Sequence, residues 1–133
     1  MENNYESKYF EFISNGLEGT SYEIENKSVL KEVFFNELVN LTSITKKLKG
    51  RLFFIGNGAS AAFSNHMALD WSKNGGLYAT SLSDSALLTA LSNDYSYEQA
   101  FVEFLKIESV NENDLVVTIS SSGNSKNIIN VLE

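Results

Sequence analysis

Apolar positions along the chain follow two rhythms. Up to about residue 50 they recur at helical spacing; beyond it, short continuous apolar runs alternate with helical stretches. Tyr5, Tyr9, Phe12 and Ile13 sit near i, i+4, i+7 and i+8, which predicts a helix over residues 4–15 that stops at Asn15-Gly16. Residues 17–27 are polar and glycine-containing and read as a linker. Ser28 is placed to cap a second helix, with Lys31 and Glu32 in its first turn. Leu30, Val33, Phe34, Leu38, Leu41, Ile44 and Leu48 give that helix a long apolar stripe. Lys46, Lys47 and Lys49 lie at its C-terminal end, where cations suit the helix dipole, and Gly50 closes it.

After Gly50 the pattern changes. Arg51 to Ile55 is the kind of continuous run expected of a strand buried on both faces. Gly56-Asn57-Gly58-Ala59-Ser60 follows, then a helix over about 60–73 broken by Asn74-Gly75-Gly76. A second strand is expected over 77–80 and a helix over 85–92 capped by Asp84. Asn93-Asp94 interrupts, and a helix over 96–107 brings Tyr97, Phe101, Phe104 and Leu105 onto one side. Asn111 to Asp114 read as a turn, Leu115 to Ile119 as the third strand, Ser120 to Ser125 as a polar loop, and Lys126 to Glu133 as the start of another helix. Strands alternating with helices predict an α/β domain, a parallel sheet with helices on both faces, over 28–133, preceded by a helical arm and linker over 1–27. Three strands and a short last helix would leave apolar surface uncovered, so the domain is expected to be truncated or to be covered by another chain.

Composition narrows the function classes. The chain has 133 residues, one domain's worth, with 43% hydrophobic and 20% charged residues, enough apolar content for a core. Cysteine is absent, which removes disulfides, thiolate catalysis and cysteine-type zinc sites and fits a cytoplasmic protein. The net charge of −7 and the lack of a basic run disfavour nucleic acid as a partner. The first residues lack the basic-then-apolar order of a signal peptide, and no run approaches the roughly 18 apolar residues of a membrane span.

Two loops carry candidate chemistry. Ser120-Ser121-Ser122-Gly123-Asn124-Ser125 lies between a strand and a helix start, where unpartnered backbone N–H groups and serine hydroxyls together suit a phosphate. The plainer alternative is a serine-rich cap and turn. The loop has no P-loop lysine, so triphosphate hydrolysis is unsupported. Gly56-Asn57-Gly58 resembles the opening of a dinucleotide fingerprint, but Ala61 stands at the third glycine position, and the nearest acidic residue for a ribose is Asp84, past the second strand. His66 and Asp70, i and i+4 on the intervening helix, share a face. That spacing serves a metal, an acid–base pair, or simply a surface ion pair.

Taken in order, Gly56-Asn57-Gly58-Ala59-Ser60, His66, Ser83-Asp84, Asn93-Asp94 and Ile119 to Ser125 resemble the SIS (sugar isomerase) domain family over about residues 28–133. Within it they most resemble the phosphoheptose isomerase branch. The resemblance implies a three-layer αβα sandwich with a parallel flavodoxin-like sheet, and a homo-oligomer, tetramer or dimer, with the N-terminal helices bundled at its centre. It implies a phosphorylated sugar as ligand, with Ser120, Ser121, Ser122 and Ser125 on the phosphate, Asn57, Gly58 and Ser60 lining the sugar site, and Asn93 and Asp94 on the sugar chain. His66 would be a zinc ligand, and Asp70 stands where the family has a glutamate that is both catalytic base and metal ligand. The implied reaction is aldose–ketose isomerisation of sedoheptulose 7-phosphate through an enediol. Aspartate is one methylene shorter than glutamate, and the family's partner histidine and further metal ligand lie beyond these residues. A non-catalytic SIS module, binding a sugar phosphate or serving as a protein adaptor, is therefore the alternative expectation.

Overall fold

The computed structural model describes residues 4–133. The chain divides into two compact units, one reaching Asn40 and the other starting at Leu41. In the first unit, α1 spans Tyr5–Glu18. It does not stop at Asn15-Gly16. A glycine inside a helix costs only about 1 kcal/mol, and α1 runs on to Gly19, whose N–H donates to the Asn15 carbonyl at 2.9 Å.

The expected linker holds a hairpin instead: β1 (Glu23–Ile24) pairs antiparallel with β2 (Lys27–Ser28). Glu25 and Asn26 at its tip take φ of 50° and 60°, the left-handed pair that a two-residue hairpin turn demands. Ser28 is consumed by β2 and does not cap the next helix, which begins three residues later: α2 spans Lys31–Lys47. Tyr22 packs on Phe34 and Phe35 with ring centroids 5.4 and 5.8 Å apart. Most of the predicted α2 stripe is exposed, and the residues α2 buries are Thr42 and Thr45.

The second unit is built on β3 (Leu52–Gly56), every residue of which is buried. β4 (Ala79–Ser81) and β5 (Leu115–Ile119) flank it in parallel, giving the order β4-β3-β5. The middle strand comes first in sequence, as in the opening of a flavodoxin-like sheet. Successive β3 side chains point to opposite faces, and each face has its own core. Phe53 and Ile55 pack with Leu82, Leu91, Ala100, Phe101, Phe104 and Ile128. Leu52 and Phe54 pack with Ala68, Leu77 and Ala79. Thus α3 (Ala59–Asp70) covers one face, and α4 (Ser85–Asp94), α5 (Ala100–Ile107) and α6 (Lys126–Leu132) cover the other. The layering is αβα, as expected. β5, at the sheet edge, is only half-buried throughout.

Several boundaries differ from expectation. α3 passes into a π-helical turn over Trp71–Gly75 before the chain breaks. Asn93 and Asp94 do not interrupt but form the last turn of α4. α5 starts at Ala100, so Tyr97 lies in the preceding turn, 52% exposed, and not on the buried helix face.

At the N-terminal ends of β3 and β5 the strands are tied by charge. The Arg51 guanidinium meets Asp114 at 2.9 Å, and Arg51 N–H donates to the same carboxylate at 2.8 Å. Arg51 also donates to the Glu108 carbonyl at 2.9 Å and lies over the Phe53 ring. Burial pushes the Asp114 carboxyl up, but hydrogen bonds from the Arg51 side chain and from the Arg51 and Asn111 backbone, with the guanidinium charge, outweigh it and hold the group below the usual carboxylate range. A lowered folded-state pKa stabilises the fold above the unfolded value, about 3.9, and that stability is lost as pH falls through the folded value. Asp114→Asn should therefore cost about 2–3 kcal/mol in urea unfolding at neutral pH. The loss should shrink as both proteins are taken into acid.

Candidate functional site

Because β3 and β5 run parallel with Gly56 opposite Ile119, the loops that follow them leave the same edge of the sheet side by side. This is the edge at which open α/β sheets hold ligands. The first loop turns tightly. A Cβ on Gly56 would lie 2.7–2.9 Å from Ser60 atoms, so only glycine lets α3 begin this close to the strand. Gly58 takes φ 55° and ψ −122°, a conformation open to glycine alone, with free space around it. Ser60 is half-buried in the first turn of α3.

The serine loop satisfies its own backbone. Gly123 N–H donates to Ser120 Oγ at 3.1 Å, and Asn124 N–H donates to Ser122 Oγ at 3.2 Å. Ser121 and Ser122 are exposed, while Ser120 and Ser125 are half-buried. The Ser125 carbonyl accepts from Ile128 and Ile129 N–H at 2.9 and 3.0 Å and starts α6, while its side chain makes no capping bond.

The structure joins the two loops by linking Asn57 to two residues that the sequence pattern did not single out as functional, Asn127 and Tyr97. Asn57 and Asn127 form a reciprocal amide pair, with Nδ2-to-Oδ1 distances of 2.9 and 3.0 Å. The Tyr97 hydroxyl donates to Asn57 Oδ1 at 2.7 Å. Asn127 is 3% exposed in the first turn of α6, immediately behind the serine loop. The available signal was an asparagine beside Ile128 in the first turn of a helix that follows the serine loop. In the sequence Tyr97 reads as a packing aromatic.

Asn93 and Asp94 are exposed and hydrogen-bonded to each other at 3.0 Å. Asp84 caps α4 as expected, accepting from Leu87 N–H at 2.8 Å. His66 Nε2 and Asp70 Oδ2 lie 3.3 Å apart with both side chains well exposed. Asn74 reaches the other Asp70 oxygen at 3.4 Å. His66 stands two helical turns into α3, about 10 Å along its axis from the Gly58 loop. Among the described residues no group of three or more metal-ligating side chains comes together. The pair alone falls short of the three or four ligands that zinc takes. No helix among the described residues is long and apolar enough to cross a membrane.

No protein-family model matches the chain. Curated proteins do. The chain is 39% identical over 101 residues to the phosphoheptose isomerase of Helicobacter pylori strain Shi470, covering 71% of this chain and 52% of that protein. It is 36% identical over 118 residues to the phosphoheptose isomerase of Thermodesulfovibrio yellowstonii, covering 78% and 58%. Against that of Nitratidesulfovibrio vulgaris it is 32% identical over 133 residues, covering 90% and 60%. The fold superposes on phosphoheptose isomerase GmhA from Neisseria gonorrhoeae with a TM-score of 0.65 and 32% identity, over 73% of this chain and 52% of that one. The chain spans about half the length of the curated relatives it matches.

Gly56→Ala tests the tight turn. Its Cβ has no room beside Ser60, and forcing α3 outward should lower stability by about 1–3 kcal/mol in denaturant unfolding.

Proposed function

We propose that this chain, a relative of the phosphoheptose isomerases in sequence and an SIS-type α/β domain in fold, binds a sugar phosphate at the edge formed by its two loops and acts in aldose–ketose isomerisation of the phosphoheptose type. The observation that carries this reading is the in-register pairing of β3 with β5, which sets a serine loop beside a glycine-flanked Asn57. Four hydroxyls, on Ser120, Ser121, Ser122 and Ser125, together with the loop N–H groups now turned to Ser120 and Ser122, offer the donors a phosphate needs. Asn57, Gly58 and Ser60 would line the sugar, with Asn93 and Asp94 contacting its chain.

In the reaction a base removes a proton from the carbon beside the carbonyl, and an acid returns it to the neighbouring carbon through an enediol. Asp70 is proposed as that base, oriented by His66 and Asn74. Phosphate held in the serine loop would fix the orientation of the sugar. His66 and Asp70 would provide two ligands to a zinc ion. They do not complete its shell, and the base role of Asp70 stands without it. A cytoplasmic setting fits a chain without cysteine. Tyr5, Tyr9 and Phe12 on α1 are 71%, 50% and 75% exposed, which supports assembly with further copies of the chain, a tetramer or dimer.

A second reading, a sugar-phosphate-binding SIS module without turnover, is favoured by Asp70 itself. Its carboxylate reaches less far than a glutamate's, and both its oxygens have partners.

Phosphorus NMR with sedoheptulose 7-phosphate, with and without zinc, separates the two. A product resonance that disappears in Asp70→Asn supports the isomerase, binding without product supports the module, and neither effect sinks both. Ser121→Ala and Ser122→Ala should each weaken sugar-phosphate binding about tenfold, the loss of one hydrogen bond to a charged group.

A further inference from the structure

We propose that Tyr97 and Asn127 are positioning residues that lock Asn57 at a fixed separation from the serine loop, so that one ligand is held at both ends. The proposal rests on the sugar-phosphate reading above. Counting donors and acceptors leads to it. Asn57 Oδ1 accepts from Asn127 and from Tyr97, which fills both of its lone pairs. Asn57 Nδ2 gives one hydrogen to Asn127 and keeps one. The Asn57 side chain is thus a rigid bridge that presents a single N–H, not a free arm.

Its partner Asn127 is buried, and a buried amide without partners is costly, so Asn127 holds its bond to the loop tightly. The turn carrying Tyr97 is fastened to the same helix by two further contacts: Asn130 Nδ2 donates to the Glu98 carbonyl at 2.9 Å, and Lys126 pairs with Glu98 at 3.0 Å. Loop, turn and α6 therefore move as one body, and α6 starts where the serine loop ends. A ligand that touches only the serine loop does not read the separation between the loops. A sugar phosphate that touches both does.

Tyr97→Phe removes one hydroxyl from an exposed ring and leaves the packing intact. Dissociation constants for sedoheptulose 7-phosphate and for inorganic phosphate, measured on the parent chain and on Tyr97→Phe, test the proposal. The variant should weaken sugar-phosphate binding roughly 3- to 10-fold and leave inorganic phosphate within about twofold. In an Asn57→Ala background Tyr97→Phe should have no further effect, because the bond it breaks is already gone. Equal weakening of both ligands, an undiminished effect in the Asn57→Ala background, or unchanged affinities would overturn the proposal. If the parent chain binds neither ligand, the sugar-phosphate reading falls and takes this inference with it. If the parent binds both and Tyr97→Phe matches it, only this inference falls.

Discussion

The register between β3 and β5 is the constraint on which the second unit depends. β3 is buried on both faces, so a slip of one residue would exchange Phe53 and Ile55 for Leu52 and Phe54 in two cores of different shape. The pairing is pinned at both ends. Before the strands, Arg51 and Asp114 are joined by a charged, doubly hydrogen-bonded contact. After them, Asn57 and Asn127 are joined by a neutral amide pair. One clamp secures the fold, and the other lies between the loops that would meet a ligand. The strands thus act as a ruler whose far end sets the geometry of the candidate site.

That division of labour suits the chemistry at each end. An ion pair with one buried partner is strong but costly to desolvate, and it sits where nothing has to bind. The amide pair at the loop end is uncharged, so it raises no repulsion against an incoming phosphate. The serine loop can stay folded without a ligand because its hydroxyls stand in for one, accepting from Gly123 and Asn124 N–H. At 3.1 and 3.2 Å these are long contacts, and hydrogen bonds to a phosphate oxygen are charge-assisted and stronger. Ser120 and Ser122 keep their own hydroxyl hydrogens to donate to the same anion.

Local chemistry was legible in the sequence where one residue type does one job. The apolar run of β5, the Asp84 cap and the breaking glycines after α3 follow from propensity and spacing. The α/β layering followed from the alternation of elements, and the sequence is similar to that of phosphoheptose isomerases. What escaped was decided by competition or by distance. Ser28 is a good cap and also a tolerable strand residue, and the hairpin claimed it through Glu25, a residue with no preference for the left-handed turn it occupies. Gly16 is a helix breaker only when nothing favours continuing. The Asn57–Tyr97–Asn127 network joins positions far apart in sequence, and each has an ordinary local reading, as a turn asparagine, a packing tyrosine and a polar helix residue.

The proposed base, Asp70, is a different kind of problem. Both Asp70 oxygens are engaged, one by His66 and one by Asn74, and each keeps a second lone pair. The contacts, at 3.3 and 3.4 Å, are long, and the side chains are well exposed, so water competes for them at little cost. Such a carboxylate is oriented without being locked, which suits the base role proposed for it. It ends α3, twelve residues past Gly58, more than three turns and about 18 Å along the axis, so the serine loop and this carboxylate lie at opposite ends of the helix and a ligand of this chain's serine loop does not meet it without help from elsewhere.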